Sequence, residues 1–279
     1  MVGIKACDLV KRYANGGVVA LDGVSFAIEP GEAIAVIGPS GAGKTTLFRI
    51  LTRTAMLDGG RVEIGGIDLY RASYFQLGAI RQKIGMVYQK HNLVGELSAF
   101  HNAAIGMIGG CSTWRAMKNL LFGASRQERA RVEAALERVG LDGKAGLRAA
   151  NLSGGEQQRV AIARILVQDP ALILADEPVA SIDPASTERI MQIFSELNRD
   201  LGKTIVCNLH DVETAKAYFR RIIGISGGRL AFDGSPAELD KDTLVRIYRG
   251  GRESFDENGE DKCICIERIA RRGIGGLNR

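Results

Sequence analysis

The chain has 279 residues, of which 46% are hydrophobic and 25% are charged. This composition excludes disordered and fibrous proteins and predicts a globular chain with a substantial buried core. The formal net charge of +5 suits nucleic acid, an anionic membrane surface or a phosphate ligand, and it does not choose among them. No apolar run approaches the ~20 residues of a spanning helix and the start lacks a signal-peptide core, so we expect a soluble chain that stays inside the cell.

The first part of the chain has the pattern of β-structure. Residues 18–28 are rich in apolar and β-branched side chains, and residues 61–64 and 84–88 are short runs bounded by glycine pairs or charge. Residues 33–37 form a continuous apolar run, as in a strand that is covered on both faces. This run leads directly into residues 38–45 and then into a helix with apolar periodicity.

The pattern turns helical between about residues 97 and 150. A capping box of Ser125 and Glu128 opens a helix there, which predicts a helical insertion between two parts of one α/β core. Helices and strands then alternate, which predicts a parallel sheet. The elements expected after the insertion are a helix after Glu156, a strand over 171–175, a helix over 184–199, a strand over 204–208 and a hairpin over 222–233.

The end of the chain is predicted to lie outside the core. Residues 235–238 read Ser-Pro-Ala-Glu and are predicted to open a last helix. Residues 251–279 are rich in glycine, arginine and glutamate and have no clear period. We therefore expect one domain over residues 1–250 and a tail over residues 251–279.

Residues 38–45 fit the pattern G-x-x-x-x-G-K-[ST] between a predicted strand and a predicted helix. Glycines let consecutive backbone amides turn toward phosphate oxygens, and the N-terminus of the helix adds a positive dipole. Lys44 is expected to reach the β- and γ-phosphates of ATP, and the Thr45 hydroxyl to bind Mg²⁺. The residues of this segment that are predicted to bind the nucleotide are Gly38, Pro39, Ser40, Gly41, Ala42, Gly43, Lys44, Thr45 and Thr46.

An acidic pair follows the predicted strand over residues 171–175. Two adjacent carboxylates at a strand end cannot both face one metal ion. The simplest division gives Asp176 to Mg²⁺ and Glu177 to the water that attacks the γ-phosphate.

A second anion site is predicted at residues 152–159, just before another helix. Ser153, Gly154 and Gly155 would expose backbone amides at the start of that helix. One nucleotide has one set of phosphates, and the phosphate loop already binds them. A second phosphate-capping helix has a use if it completes the nucleotide site of another copy of the chain. We therefore expect two copies, related by a two-fold axis, to trap two ATP molecules.

Together these motifs resemble the ATP-binding subunits of ABC transporters over roughly residues 1–250. The resemblance implies a P-loop NTPase core of ABC type with an antiparallel β subdomain and a helical insertion. It implies that Tyr13 stacks on adenine, that Gln89 serves the metal and the catalytic centre, and that His210 contacts the γ-phosphate. The signature of the family falls on residues 152–157, with Glu156 as a variant at its fifth position. Its D-loop falls on residues 181–183, with isoleucine where leucine is usual.

Shorter stretches resemble one branch of the family, the phosphonate importer ATPases. They are residues 89–94, 97–98, 102, 105–106, 114–115, 175–181, 208–212 and 231–236. The resemblance implies two ATPases and two transmembrane permease subunits, fed by an extracytoplasmic binding protein, with no nucleic-acid partner. The chain would then be peripheral at the cytoplasmic face of the inner membrane, and the cargo would be phosphonate, phosphite or a related oxyanion.

Three other functions remain open at the level of the sequence. An exporter or lipoprotein-release ATPase would share the nucleotide chemistry. A non-transport ABC ATPase acting on DNA or ribosomes would usually carry a long coiled-coil insertion, zinc cysteines or tandem cassettes. A nucleotide-regulated binding module without turnover would lack the base at Glu177.

Overall fold

The structure is a computed structural model, and it describes residues 2–13, 17–89, 92–110, 125–180 and 182–249. The described strands are β1 (Ile4–Tyr13), β2 (Val18–Ile28), β3 (Ala33–Ile37), β4 (Gly59–Ile64), β5 (Ile67–Asp68), β6 (Ile84–Val87), β7 (Leu172–Asp176), β8 (Thr204–Asn208), β9 (Arg221–Ser226) and β10 (Arg229–Gly234). The described α-helices are α1 (Lys44–Leu51), α2 (Tyr74–Lys83), α3 (Ala99–Ala104), α4 (Arg126–Arg138), α5 (Gly154–Gln168), α6 (Pro184–Arg199), α7 (Val212–Tyr218) and α8 (Lys241–Arg249).

The strands form two sheets. The first is antiparallel with the order β2-β1-β4-β5, and the second has the order β10-β9-β3-β8-β7-β6. Within the second sheet, β9, β3, β8, β7 and β6 run parallel, and β10 closes the edge in a hairpin with β9. The predicted parallel sheet and the predicted antiparallel subdomain are both confirmed.

The parallel sheet separates two hydrophobic clusters. Ile34 and Val36 of β3 pack with α1 and the antiparallel sheet, whereas Ala35 and Ile37 pack with α5 and α6. This alternation follows from the two-residue period of a strand. It explains why residues 33–37 read as a continuous apolar run, because both faces of β3 are covered.

The helical insertion packs on one side of α5. The helices α3 and α4 and the 3₁₀ turn Ile105–Gly110 all contact α5. The capping box predicted for α4 is present, since the Glu128 amide donates to Ser125 Oγ and the Ser125 amide donates to Glu128 Oε2 at 2.9 Å. Residues 111–124 of the predicted insertion and the predicted tail lie outside the described residues, so the division of the chain at residue 250 stays a prediction.

The prediction that Ser235 opens the last helix is wrong. Its capping box with Glu238 is present, but it caps only the 3₁₀ turn Pro236–Glu238. Leu239 is buried and its carbonyl accepts a hydrogen bond from Lys216 Nζ, which holds the backbone out of a continuing helix. The helix α8 begins later, after Asp240, whose Oδ1 accepts from the Thr243 amide at 2.8 Å. Tertiary contact therefore overrides the local signal.

The burial of two phenylalanines predicts that their substitutions have different effects on the free energy of unfolding. Phe194 on α6 is 1% exposed, whereas Phe75 on α2 is 85% exposed. Phe194→Ala should lower the free energy of unfolding by about 3–5 kcal/mol because it leaves a cavity. Phe75→Ala, the matched control, should change it by no more than about 0.5 kcal/mol. Urea denaturation followed by circular dichroism measures both, and equal losses would contradict the burial of Phe194 in the core.

Candidate active site

The loop between β3 and α1 has a backbone that requires glycine. Gly38, Gly41 and Gly43 have φ angles of 151°, 80° and 105°. A Cβ on Gly38 would collide with the Ile225 carbonyl oxygen, and one on Gly43 would collide with the Ala20 carbonyl oxygen. The loop is thus pinned between neighbouring strands in the shape expected of a phosphate cradle.

The remaining loop residues divide between the interior and the surface. Ala42 is buried, and its carbonyl accepts from the Gly228 amide at 3.0 Å, while Pro39 is half-buried. Ser40 and Thr45 are exposed at the mouth of the loop, so their hydroxyls are accessible to a ligand.

Lys44, the first residue of α1, folds back over the loop. Its Nζ donates to the carbonyl oxygens of Gly38 at 2.7 Å and Pro39 at 2.9 Å, and the residue is 5% exposed. Burial lowers the pKa of Lys44, and the nearby charges of Glu177 and Asp176 oppose that shift. The ammonium therefore lies between the phosphate loop and the acidic pair.

Asp176 ends β7 in a buried position. The Asn208 Nδ2 donates to Asp176 Oδ1 at 2.6 Å, because the two residues are paired across β7 and β8. Burial raises the pKa of the Asp176 carboxyl, whereas the Asn208 hydrogen bond and the charge of Lys44 lower it. Sequence reasoning missed Asn208, although its place at the end of the strand beside Asp176 was the available signal.

Glu177 turns away from Asp176. Its φ of 54° is left-handed, and its amide donates to the Asn208 carbonyl oxygen at 3.1 Å. Its side chain, 11% exposed, accepts from Gln89 Nε2 at 2.7 Å and lies in hydrogen-bond contact with His210 Nε2 at 2.5 Å. The structure thus brings together three predicted catalytic residues from segments that follow three different strands.

The predicted adenine-stacking residue lies beside this loop. The hydroxyl of Tyr13 is 3.5 Å from Thr46 Oγ1 on α1, and the residue is 38% exposed. Lys11 Nζ lies 5.4 Å from the ring centroid. An aromatic surface is therefore available next to the phosphate loop.

The donor set fits a magnesium ion. Thr45 and Asp176 offer hydroxyl and carboxylate oxygens, and Gln89, which donates through Nε2, keeps its amide oxygen. Mg²⁺ prefers oxygen ligands of this kind together with phosphate oxygens. The raised pKa of the buried Asp176 carboxyl is the mark of a carboxylate that a cation would stabilise.

The second anion site also has the predicted local structure. Ser153 caps α5, the Glu156 amide donates to Ser153 Oγ, and the Ser153 amide donates to Glu156 Oε2 at 2.8 Å. Ser153 and Gly154 are exposed, and a Cβ on Gly155 would lie 3.5 Å from Ile182. Ser181 of the predicted D-loop lies outside the described residues. Within the described part of the chain, no hydrogen bond joins residues 153–156 to residues 38–46.

These features define a class of protein. The site has a glycine loop between the strand β3 and the helix α1, with a buried lysine on it. An acidic pair lies at the end of β7, with β8 between β7 and β3 in the sheet. This arrangement is typical of a P-loop nucleoside triphosphatase. The family model described as ABC transporter matches residues 21–180.

Curated relatives match over most of the chain. The phosphonates import ATP-binding protein PhnC of Maricaulis maris is 40% identical, over 89% of this chain and 95% of its own length. The protein of the same name from Lactobacillus johnsonii is 41% identical, over 87% of this chain and 94% of its own length.

Solved structures agree with the sequence relatives. A dimeric post-hydrolysis state of the ATP-binding cassette MJ0796 bound to ADP and Pi has a TM-score of 0.75 and 33% identity, over 84% of this chain and 98% of that chain. The structure of cbiO1 from Clostridium perfringens, part of the transporter complex cbiONQ, has a TM-score of 0.72 and 28% identity, over 87% of this chain and 92% of that chain. The chain belongs to the ABC transporter family and is an ATP-hydrolysing member of it.

The loop geometry predicts that Gly43→Ala impairs nucleotide binding. The new Cβ would collide with the Ala20 carbonyl and force a non-glycine residue to a φ of 105°. Strain of this kind costs about 1–3 kcal/mol, so nucleotide affinity should fall by about 5- to 150-fold. Gly78→Ala on α2 is the control, because its Cβ meets nothing within 4 Å. Equilibrium titration with a fluorescent ATP analogue compares the two, and unchanged affinity in Gly43→Ala would contradict the assigned cradle.

Proposed function

We propose that the chain is the ATP-hydrolysing subunit of an ABC importer, and that two copies couple MgATP hydrolysis to uptake of phosphonate or a related phosphorus oxyanion. The observation that carries the catalytic part is the convergence of Gln89, Glu177 and His210 beside Lys44 and Asp176. The names of the relatives support the cargo class.

The chemistry follows from the positions of these side chains. Lys44 offsets negative charge on the β- and γ-phosphates. Glu177 orients the attacking water and accepts its proton as the water oxygen bonds to the γ-phosphorus. The bond from the γ-phosphorus to the β–γ bridging oxygen breaks in the same step and releases ADP and phosphate, while His210 contacts the γ-phosphate. Thr45, Gln89 and Asp176 would hold Mg²⁺, which supplies charge neutralisation at the phosphate oxygens.

The proposal includes a composite site. Ser153, Gly154 and Gly155 present an anion-binding helix end that the same chain's phosphate loop does not use. A second copy, arranged head to tail, would place its ATP against this end. The dimeric state named for the solved relative supports this arrangement.

The partners follow from the importer proposal. The permease subunits would dock near the segment after β6, where Tyr88, Val94 and Leu97 are exposed apolar residues. No helix among the described residues combines the length and apolarity that crossing a bilayer requires. We place the chain at the cytoplasmic face of the inner membrane, held there by permeases that receive cargo from an extracytoplasmic binding protein, with no nucleic acid involved.

Replacement of the proposed base gives the first test. Glu177→Gln keeps the size of the side chain but removes the proton acceptor, so turnover should fall by about 10² or more. Because ATP then stays bound, the variant should form an ATP-dependent dimer detectable by light scattering. Glu213→Gln on α7, an exposed position, is the control and should retain normal turnover. Normal hydrolysis by Glu177→Gln would rule out this residue as the base.

Growth of a deletion strain tests the cargo. Cells without this gene should fail to grow with a phosphonate as sole phosphorus source and should grow normally on phosphate. Restoring the normal gene should restore growth, whereas restoring the Lys44→Ala form should not. If the deleted strain grows on every reduced or carbon-bonded phosphorus source and instead loses efflux of a drug or lipid, the exporter alternative is the correct one.

A further inference from the structure

Lys144 makes a contact that the proposed mechanism does not use. It lies in the loop between α4 and α5, and its Nζ forms an ion pair and hydrogen bond with Glu156 Oε1. The other carboxylate oxygen, Glu156 Oε2, accepts from the Ser153 amide at 2.8 Å. Glu156 thus connects the lysine to the start of the signature helix α5.

The position of Glu156 creates an electrostatic conflict. Its carboxylate lies in the first turn of α5, where the positive end of the helix dipole stabilises one negative charge. The same end of the helix is the proposed site for a γ-phosphate, which is also negative. Hydrogen bonds from Lys144 and from Ser153 lower the pKa of Glu156 to about 2, so the carboxylate is charged at neutral pH.

The loop that carries Lys144 is fixed by backbone hydrogen bonds. The Lys144 amide donates to the Leu141 carbonyl at 3.1 Å, and the next residue, Ala145, accepts from the Phe100 amide at 2.9 Å. The Lys144 ammonium therefore reaches Glu156 from a backbone that hydrogen bonds keep in place. Forming this ion pair therefore costs less conformational entropy than forming an ion pair between two freely moving surface side chains.

We propose that Lys144 is a positioning residue of the composite site: it neutralises Glu156, so that the N-terminus of α5 can accept the γ-phosphate of ATP bound to the second copy. The inference rests on the proposed head-to-tail dimer. It assigns to Lys144 an effect on ATP-dependent dimer formation, and none on ATP binding by the separate chain. The pair acts through net charge, so its effect must depend on the charge of Glu156 and on salt.

A double-mutant cycle in the Glu177→Gln background tests the proposal. Lys144→Ala should weaken ATP-dependent dimerisation by about 3- to 30-fold, because the dimer has two such helix ends and one charge at each changes the equilibrium by about 2- to 5-fold. Lys144→Arg should restore it. In chains that also carry Glu156→Gln, which can still cap Ser153, Lys144→Ala should change dimerisation less than about 2-fold, because no charge is left to neutralise.

The salt dependence of dimerisation and a control substitution at a second lysine distinguish this electrostatic role from a structural one. The loss in Lys144→Ala should be larger at about 0.01 M salt than at about 1 M salt, where the Debye length is about 3 Å. Lys203→Ala removes a lysine paired with Asp169 at the other end of α5 and should leave dimerisation unchanged. ATP titration of the monomer and light scattering of the dimer are the two measurements.

The outcomes are distinct. If Lys144→Ala causes an equal loss with and without the Glu156→Gln substitution, or a loss insensitive to salt, Lys144 only supports the loop and the proposal is overturned. No loss at all would overturn it as well. If the Glu177→Gln chain binds ATP but never dimerises, the composite site itself fails, and that result is visible before Lys144 is changed.

Discussion

The parallel pairing of β3, β8, β7 and β6 is the constraint on which the rest of the structure depends. Val36 lies opposite Asn208, Asp176 lies opposite Asn208, and Val87 lies opposite Ala175. Because carboxyl ends of parallel strands share an edge, the segments that follow them must meet there. The phosphate loop, the acidic pair, Gln89 and His210 are neighbours for this reason, although more than 100 residues of chain separate some of them.

The same edge also determines how charge is distributed in the site. Lys44 and Asp176 are both buried, and each moderates the cost of burying the other. Glu177 leaves the strand with a left-handed φ, a conformation that costs about 1–3 kcal/mol for a residue other than glycine. Contacts with Asn208, Gln89 and His210 hold it there. Two adjacent carboxylates consequently point to different partners, as the division predicted from the sequence requires.

Much of the fold and the site could be predicted from the sequence because its signals are local. The phosphate loop, the buried strands and the signature cap are each encoded within about ten residues. The strand β1 escaped prediction because the irregularity at Asp8 and the buried Lys11 interrupt its alternation of apolar and polar residues. The start of α8 depends on a tertiary contact, and no local pattern carries that information. The role of Asn208 depends on the strand order, which places the end of β8 beside the end of β7.

Hydrogen bonds connect the signature helix α5 to the turn that follows the acidic pair of the same chain. Arg159 on the signature helix donates to Ser186 Oγ at 2.9 Å, and the Ser186 amide donates to Asp183 at the start of α6. Ile182, in the same turn, lies against Gly155. This turn follows Glu177 by only a few residues, so in the proposed dimer a displacement of α5 would reach the backbone that carries the proposed base. In the proposed dimer, closure on one ATP would therefore bear on the hydrolysis of the other.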